Sequence, residues 1–372
     1  MSVVTNSDRF SDDCEHLVDH VTLLRPNQLD GSERNALIKV DPEGFHLRPP
    51  PVPHKLTDSI TSEADLFQTI HMGPAVVDRD FWRLVVDGLV ERTFSIDWSQ
   101  LLRLPSKTVT SFHECYGSPV KPPDTNLWRI GNVQWTGVPL PLLLKLAKPR
   151  STARYIWGDG LEHGSFFQAK NVDRYQKDLP IQKALSPECL VAYKMNGQPI
   201  ARERGGPVRL IVPGWYGTNS VKWVCRLSLQ GTRSSSPFTT IYYNEIDPAD
   251  SERKRKVPCW EVEPNSFLLT MPADVGVIRG PEVRIAGRAW GAHAIEKVSI
   301  SVREDEKWIE EAVVSLPMRE QVEWQYFETK LNLKPGRHHI LARATDIKGH
   351  TQPISGRRNH AHQVAIMVST AR

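Results

Sequence analysis

Two stretches of this chain hold the residue types that redox chemistry at a soft metal requires. Ser111–Gly117, SFHECYG, places Cys115 after a β-like run, Val109–Phe112, and ahead of a Gly/Pro turn. Gly206–Trp223, GPVRLIVPGWYGTNSVKW, carries Arg209, Gly214, Gly217, Ser220 and Lys222. A thiolate is a soft ligand. Glycines let backbone N–H groups approach a bound molecule, and Lys with Arg neutralises phosphate. A soft metal held by an anionic organic cofactor would need both. Each stretch also has a plainer reading. Free Cys is among the most buried residue types, and the loop is equally a strand–turn–strand with ordinary charges. It lacks the GK[ST] ending of a Walker A loop and the GxGxxG spacing of a dinucleotide site.

The elements that position these residues are mostly strands. Trp82–Asp87 alternates and meets Gly88, a strand and turn. Ile96–Leu104 has apolar residues at helical spacing and stops at Pro105. Trp135–Leu146, WTGVPLPLLLKL, reads as a turn followed by a short buried helix. Tyr155–Gly160 reads as a strand ending on an acid and a glycine. Leu190–Met195, then Asn196-Gly197, then Gln198–Ile200 form a hairpin signal, since Asn-Gly favours the type I′ turn. Val208–Val212 and Val221–Leu229 read as further strands. Residues 1–59, with PPPVP at Pro49–Pro53, read as an extended arm apart from the chemistry. Residues 60–235 form the chemistry-bearing domain. Residues 236–266 read as a linker, with SERKRK at Ser251–Lys256 as solvated charge rather than a nuclear address. Residues 267–372 repeat short alternating strands with turns between them, the sandwich pattern.

Composition narrows the function. A net charge of +4 over 372 residues, without a basic stripe interleaved with aromatics, argues against nucleic acid. The five cysteines, Cys14, Cys115, Cys189, Cys225 and Cys259, show no CxxC pair and no zinc spacing. A scattered odd set fits a reducing compartment. MSVVTNSDRFSDDCEH has no apolar core segment, no apolar run reaches membrane-spanning length, and STAR is not an SKL-type address. The expectation is a cytoplasmic protein.

SFHECYG, WRIGNVQWTGVPLPLLL, LVAYKMNGQPI, GGPVRLIVPGWYGTNSVKW and a trailing β-sandwich, in that order, resemble the sulfite oxidase family of molybdopterin-dependent oxidoreductases from about Ile60 onward. The resemblance implies an α+β domain binding Mo-molybdopterin, followed by an all-β immunoglobulin-like dimerisation domain and hence a homodimer. It makes Cys115 the thiolate ligand of the metal and assigns cofactor contacts to His71, Asp159, Arg204 and Arg209, and to Ser220, Val221 and Lys222, which would hold the pterin phosphate by backbone and ammonium. It implies a tyrosine facing the metal, Tyr243, or Tyr242 if the gap falls differently; a phenol there can bind substrate or relay a proton. Arg204 stands where many relatives have His.

The departures concern the substrate. Thr69 and Ile70 replace the Arg and Asn of the family's Arg-Asn-His. Val120 stands where another Arg is expected, and a third falls near Ile354, unless Arg357 or Arg358 takes its place. With neutral Tyr116 beside them, these residues imply a poor sulfite site and a larger organic substrate, unless Lys121 or Arg129 refills the charge. The chain shows no CxxCH and no nucleotide fingerprint, so the reading expects one redox centre, a small-molecule substrate and an external electron acceptor. Three functions remain open: an oxidoreductase acting on an organic substrate, sulfite oxidase proper, and a protein that only binds the cofactor.

Overall fold

The computed structural model describes residues 15–24, 39–118, 128–247, 249–355 and 357–370. Two sheets pack around the first core. One has six strands in the order Thr22–Leu23, Phe94–Asp97, Arg83–Gly88, Val224–Gln230, Tyr155–Gly160 and Tyr175–Pro180. The other runs Gln198–Pro199, Leu190–Met195, Ile130–Pro139, Lys107–Glu114, with Arg209–Ile211 also paired to Leu190–Met195. Between them lie Leu84, Val86, Ile96, Val138, Leu143 and Val208, all at or near 0% exposure. This apolar burial is the main favourable term of the fold, at about 25 cal/mol per Å². The helix Leu140–Ala147 is apolar on nearly every side and buries six of its residues, filling the core rather than covering it.

Three local expectations are corrected. Trp135 to Pro139 is not a turn: Ile130–Pro139 is one strand, and Gly137 lies where a Cβ would come 2.2 Å from the Val191 carbonyl. The Thr-Gly pair marks a close strand crossing, not a reversal. Ile96 belongs to the strand Phe94–Asp97, and the helix Trp98–Arg103 starts after it, set by a capping box between Asp97 and Gln100. The last strand of the large sheet starts at Val224, because Ser220 to Trp223 completes the loop at the site.

Residues 265–369 form a β-sandwich with its own core. The three strands Asn265–Leu268, Glu282–Trp290 and Gln325–Asn332 face a five-stranded sheet built on Ile295–Glu304, Gly336–Asp346 and Gln363–Ser369. Val283, Ile285, Val298, Ile300, Ile340 and Ile366 are fully buried between them. The architecture is therefore an α+β domain followed by an all-β sandwich.

A third apolar cluster joins the two units. It contains Phe112, Ile130, Tyr216, Phe267, Trp290 and Trp324. Within it Glu114 accepts from Trp290 Nε1 at 2.8 Å and Asn265 Nδ2 at 3.3 Å. Burial pushes this carboxyl up to about 7. The strand that ends at Cys115 is thus pinned to the sandwich. The described part of the arm is also structural: His46–Arg48 pairs with Gln68–Ile70, the strand that enters the site. Among the described residues no helix is long and apolar enough to cross a membrane.

Candidate active site

A cleft opens between the end of Lys107–Glu114, the strand Gln68–Ile70 and the loop around Gly217. Cys115 is partly buried at its floor, a free thiol. Its Sγ lies 3.6 Å from Thr69 Oγ1 and 3.4 Å from the Gly117 N–H. Two glycines make the cleft possible. A Cβ on Gly217 would sit 3.0 Å from the His113 ring and 3.1 Å from the Glu114 carbonyl. Gly205 has φ +96°, and a Cβ there would come 2.5 Å from Lys222 Cγ.

Three cations line this cleft: Arg204, Arg209 and Lys222. Arg204 donates to the carbonyls of Phe67 at 2.7 Å and Leu66 at 3.0 Å and to that of Glu63, whose exposed carboxylate lies 3.9 Å from its Nε. Arg209 donates to the Arg204 carbonyl at 2.8 Å, while its Nε has no partner. Lys222 Nζ donates to the Thr69 carbonyl. Carbonyls satisfy donors but do not neutralise charge. Burial pulls Arg209 down to about 9, and burial plus the Arg209 charge pulls Lys222 down to about 8. His113 is held well below the usual imidazole range by burial and by these same two charges, so it is neutral. It stacks on Phe67 with ring centroids 5.6 Å apart.

The lining carboxylates are two. Glu203 pairs with Arg202 at 2.9 Å. Glu162 is buried against His71, with Oε1 3.6 Å from His71 Nδ1 and Oε2 accepting the backbone N–H of His71 at 3.2 Å and Met72 at 3.3 Å. Burial alone would raise Glu162, but the facing His71 ring, the Lys222 charge and the Met72 N–H hold it below the ordinary carboxylate range. The cleft therefore has more buried positive than negative charge, and an orphaned guanidinium Nε. An anionic cofactor with a phosphate fits that donor set, and Cys115 supplies the soft ligand.

Of the two tyrosines, Tyr243 enters the cleft, with its hydroxyl bonded to His71 Nε2. Tyr242 turns away and donates to the Phe166 carbonyl at 2.8 Å. Tyr243 has φ +59°, an unusual conformation for a bulky residue. Burial holds its phenol well above the usual range, so it is protonated.

The structure brings His71, Cys115, Arg204, Arg209, Ser220, Lys222 and Tyr243 to one cleft. Two of the expected cofactor residues, Asp159 and Val221, do not line this cleft with their side chains. Asp159 lies outside the cleft lining, its carboxylate held by Arg174 at 3.1 Å and Gln176 at 2.7 Å. Val221 packs in the core behind the loop. Ser220 Oγ accepts the Val212 N–H at 3.1 Å, so it closes the loop on itself. The lining residues not foreseen include His113, Glu162, Tyr175 and Thr218. His113 stands within SFHECYG and Glu162 just after WGDG, so proximity to the key words was the available signal.

Val120 and Lys121 lie outside the described residues. Arg129 packs beside Gly117 without lining the cleft, and Ile354 is exposed on the sandwich. Arg357 pairs with Glu263 at 2.5 Å. Arg358 bonds Glu245 at 2.8 Å and the Tyr116 carbonyl, with its guanidinium 3.5 Å above the Tyr116 ring. Tyr116 lines the cleft, so this guanidinium stands one aromatic layer behind it.

Residues 71–238 match the family model for the oxidoreductase molybdopterin binding domain. The mitochondrial sulfite oxidase of Rattus norvegicus is 29% identical over 333 residues, covering 83% of this chain and 60% of that protein. The sulfite oxidase of Arabidopsis thaliana is 26% identical over 355 residues, covering 86% of this chain and 89% of that protein. The chain thus spans about 60% of the length of the rat relative. The crystal structure of the sulfane dehydrogenase SoxCD from Paracoccus pantotrophus superposes with a TM-score of 0.72 at 22% identity, covering 100% of this chain and 96% of that one. That likeness concerns the fold.

Proposed function

Because this chain belongs to the sulfite oxidase family of molybdopterin-dependent oxidoreductases, we propose that it transfers an oxygen atom or a redox equivalent on a small organic substrate at a molybdenum centre ligated by Cys115. The bound cofactor supplies the redox and oxo-transfer chemistry. Arg209 and Lys222 would hold its phosphate, and Arg204 would face it as a third cation. Tyr243, hydrogen-bonded to His71, orients a substrate or water in the cleft and exchanges a proton with it. Electrons leave to an external acceptor.

One observation carries the choice of substrate. The side chain beside the Cys115 sulfur is the neutral Thr69 hydroxyl, at 3.6 Å. A small dianion such as sulfite needs cations that are not committed elsewhere. Arg358 is screened by Tyr116 and paired with Glu245, and Lys222 and Arg209 are assigned to the phosphate. Removing two or three cations from a partly desolvated site costs on the order of several kcal/mol of anion binding. Leu66, Phe67, Thr69 and Tyr116 suit a less charged molecule.

Sulfite oxidation is the second reading, favoured by the activity named for the rat and Arabidopsis relatives. Steady-state kinetics of molybdenum-replete protein with sulfite and ferricyanide separate the two. The organic-substrate reading expects weak saturation and slow turnover. A micromolar Michaelis constant with rapid turnover would establish sulfite as the substrate.

A further inference from the structure

The His71 imidazole, 7% exposed, is packed among aromatic rings. Tyr175 stacks on it at 5.0 Å with the planes 21° apart. Phe166 and Phe238 meet it edge-on at 4.9 and 5.2 Å. A ring so clamped does not rotate to suit its partners, so which nitrogen carries the proton is decided by its two polar neighbours. On the Nδ1 side stands Glu162, 2% exposed, its Oε1 3.6 Å from an Nδ1 that has no hydrogen-bond partner, so the carboxylate acts on that nitrogen by its charge and its proximity. Its other oxygen already accepts the N–H groups of His71 and Met72. Lys222 and the backbone donors favour its ionised form, and a carboxylate can only accept. On the Nε2 side stands the Tyr243 hydroxyl, within hydrogen-bond reach.

We propose that Glu162 is a positioning residue that fixes His71 as the Nδ1–H tautomer, so that Nε2 accepts the Tyr243 proton and the phenol oxygen becomes a proton acceptor toward the cleft. The inference rests on the reading of the cleft as an active site. The step is a proton transfer in which no electrons move. A water or hydroxyl in the cleft loses its proton to the Tyr243 oxygen while the phenol O–H breaks and an N–H forms on Nε2. The imidazolium produced faces the Glu162 carboxylate, which stabilises it. Reversal of both transfers resets the relay. Tyr243 and His71 alone would be ambiguous, since either atom could donate across their bond. Glu162 removes that ambiguity, as a buried carboxylate does wherever it orients a histidine.

A purely structural Glu162 would serve only as acceptor for the backbone at His71 and Met72. Glu162→Gln separates the two roles. Its amide oxygen still accepts those N–H groups, while its NH₂ faces Nδ1 and requires the Nε2–H tautomer. The experiment is ¹⁵N NMR of protein labelled at histidine, with the His71 signals identified by their loss in His71→Gln. Turnover of sulfite with ferricyanide and molybdenum content are measured on the same preparations. The expected result is an Nδ1–H tautomer in the wild type and an Nε2–H tautomer in Glu162→Gln. Molybdenum content should stay the same while turnover falls about 100-fold, within the range typical of general acid–base groups. An Nε2–H tautomer in the wild type would overturn the proposal, and this measurement decides even if the variant fails to fold. Unchanged tautomer and turnover in Glu162→Gln would overturn it equally. Rapid sulfite turnover with the tautomer as expected would instead refute only the choice of substrate.

Discussion

Lys222→Met should make the cofactor-free protein more stable and the loaded protein poorer in cofactor. Burial and the Arg209 charge lower the Lys222 ammonium from 10.5 to about 8 in the fold. A base depressed in the folded state binds fewer protons there than in the unfolded chain. The penalty is therefore full below the folded value and is relieved as pH rises from about 8 toward 10.5. Converted at about 1.4 kcal/mol per pH unit, the displacement corresponds to roughly 3 kcal/mol at neutral pH. Lys222 keeps some contact with the cleft, which reduces the figure to about 1–3 kcal/mol. Methionine fills nearly the same volume without the charge, so urea unfolding at pH 7 of protein made without molybdopterin should show that gain. The difference should shrink as pH rises to 10. In protein made with the cofactor, loss of one charge-assisted contact, worth about 1.5–3 kcal/mol, weakens binding about tenfold to 150-fold. Cofactor content should fall accordingly. A cofactor-free variant less stable than wild type by more than about 1 kcal/mol would refute the reasoning, because Lys222 would then be a paired structural cation.

Arg209→Met should behave in the same direction, since burial lowers Arg209 to about 9 and its Nε is unpartnered; pterin content after release from the protein is the measurement. Gly217→Val should cost about 1–3 kcal/mol by overpacking against His113 and Glu114, read as a lower urea midpoint with an unchanged slope. Light scattering at micromolar concentration should give the mass of a homodimer formed through residues of about 267–368, because twofold pairs are the commonest assembly; a monomer mass contradicts this.

Much of the fold was legible because alternation and turn chemistry are local. The strands Tyr155–Gly160 and Leu190–Met195, the Asn-Gly hairpin and the alternating strands after residue 280 follow from patterns within a few residues. The site was legible only in part. Cys115 and the Lys222 loop lie within continuous words of sequence, but Glu162 reaches His71 across 91 positions and Tyr243 reaches it across 172. No local pattern encodes such a meeting. Composition also misled at residues 236–266. That polar stretch carries a helix, Pro237–Thr240, a hairpin of Asn244–Ile246 with Lys256–Pro258, and Tyr243 itself. Asn244 binds the carbonyls of Thr239 and Tyr242 at 2.9 Å, so polar residues there build the turn that presents the tyrosine. Asp159 lies on the expected strand, with its carboxylate held by Arg174 and Gln176 outside the cleft lining.

Metal and pterin analysis with an electronic spectrum, on wild type and Cys115→Ser, tests the central claim most directly. The account predicts about one molybdenum per chain and a thiolate-to-molybdenum band that disappears in Cys115→Ser, because an alkoxide is a harder ligand. The variant should keep the far-UV signature of the fold, since Cys115 stands at the cleft and not in the packed core. Wild-type protein free of molybdenum from a host that makes the cofactor, or an unchanged band in Cys115→Ser, would contradict it.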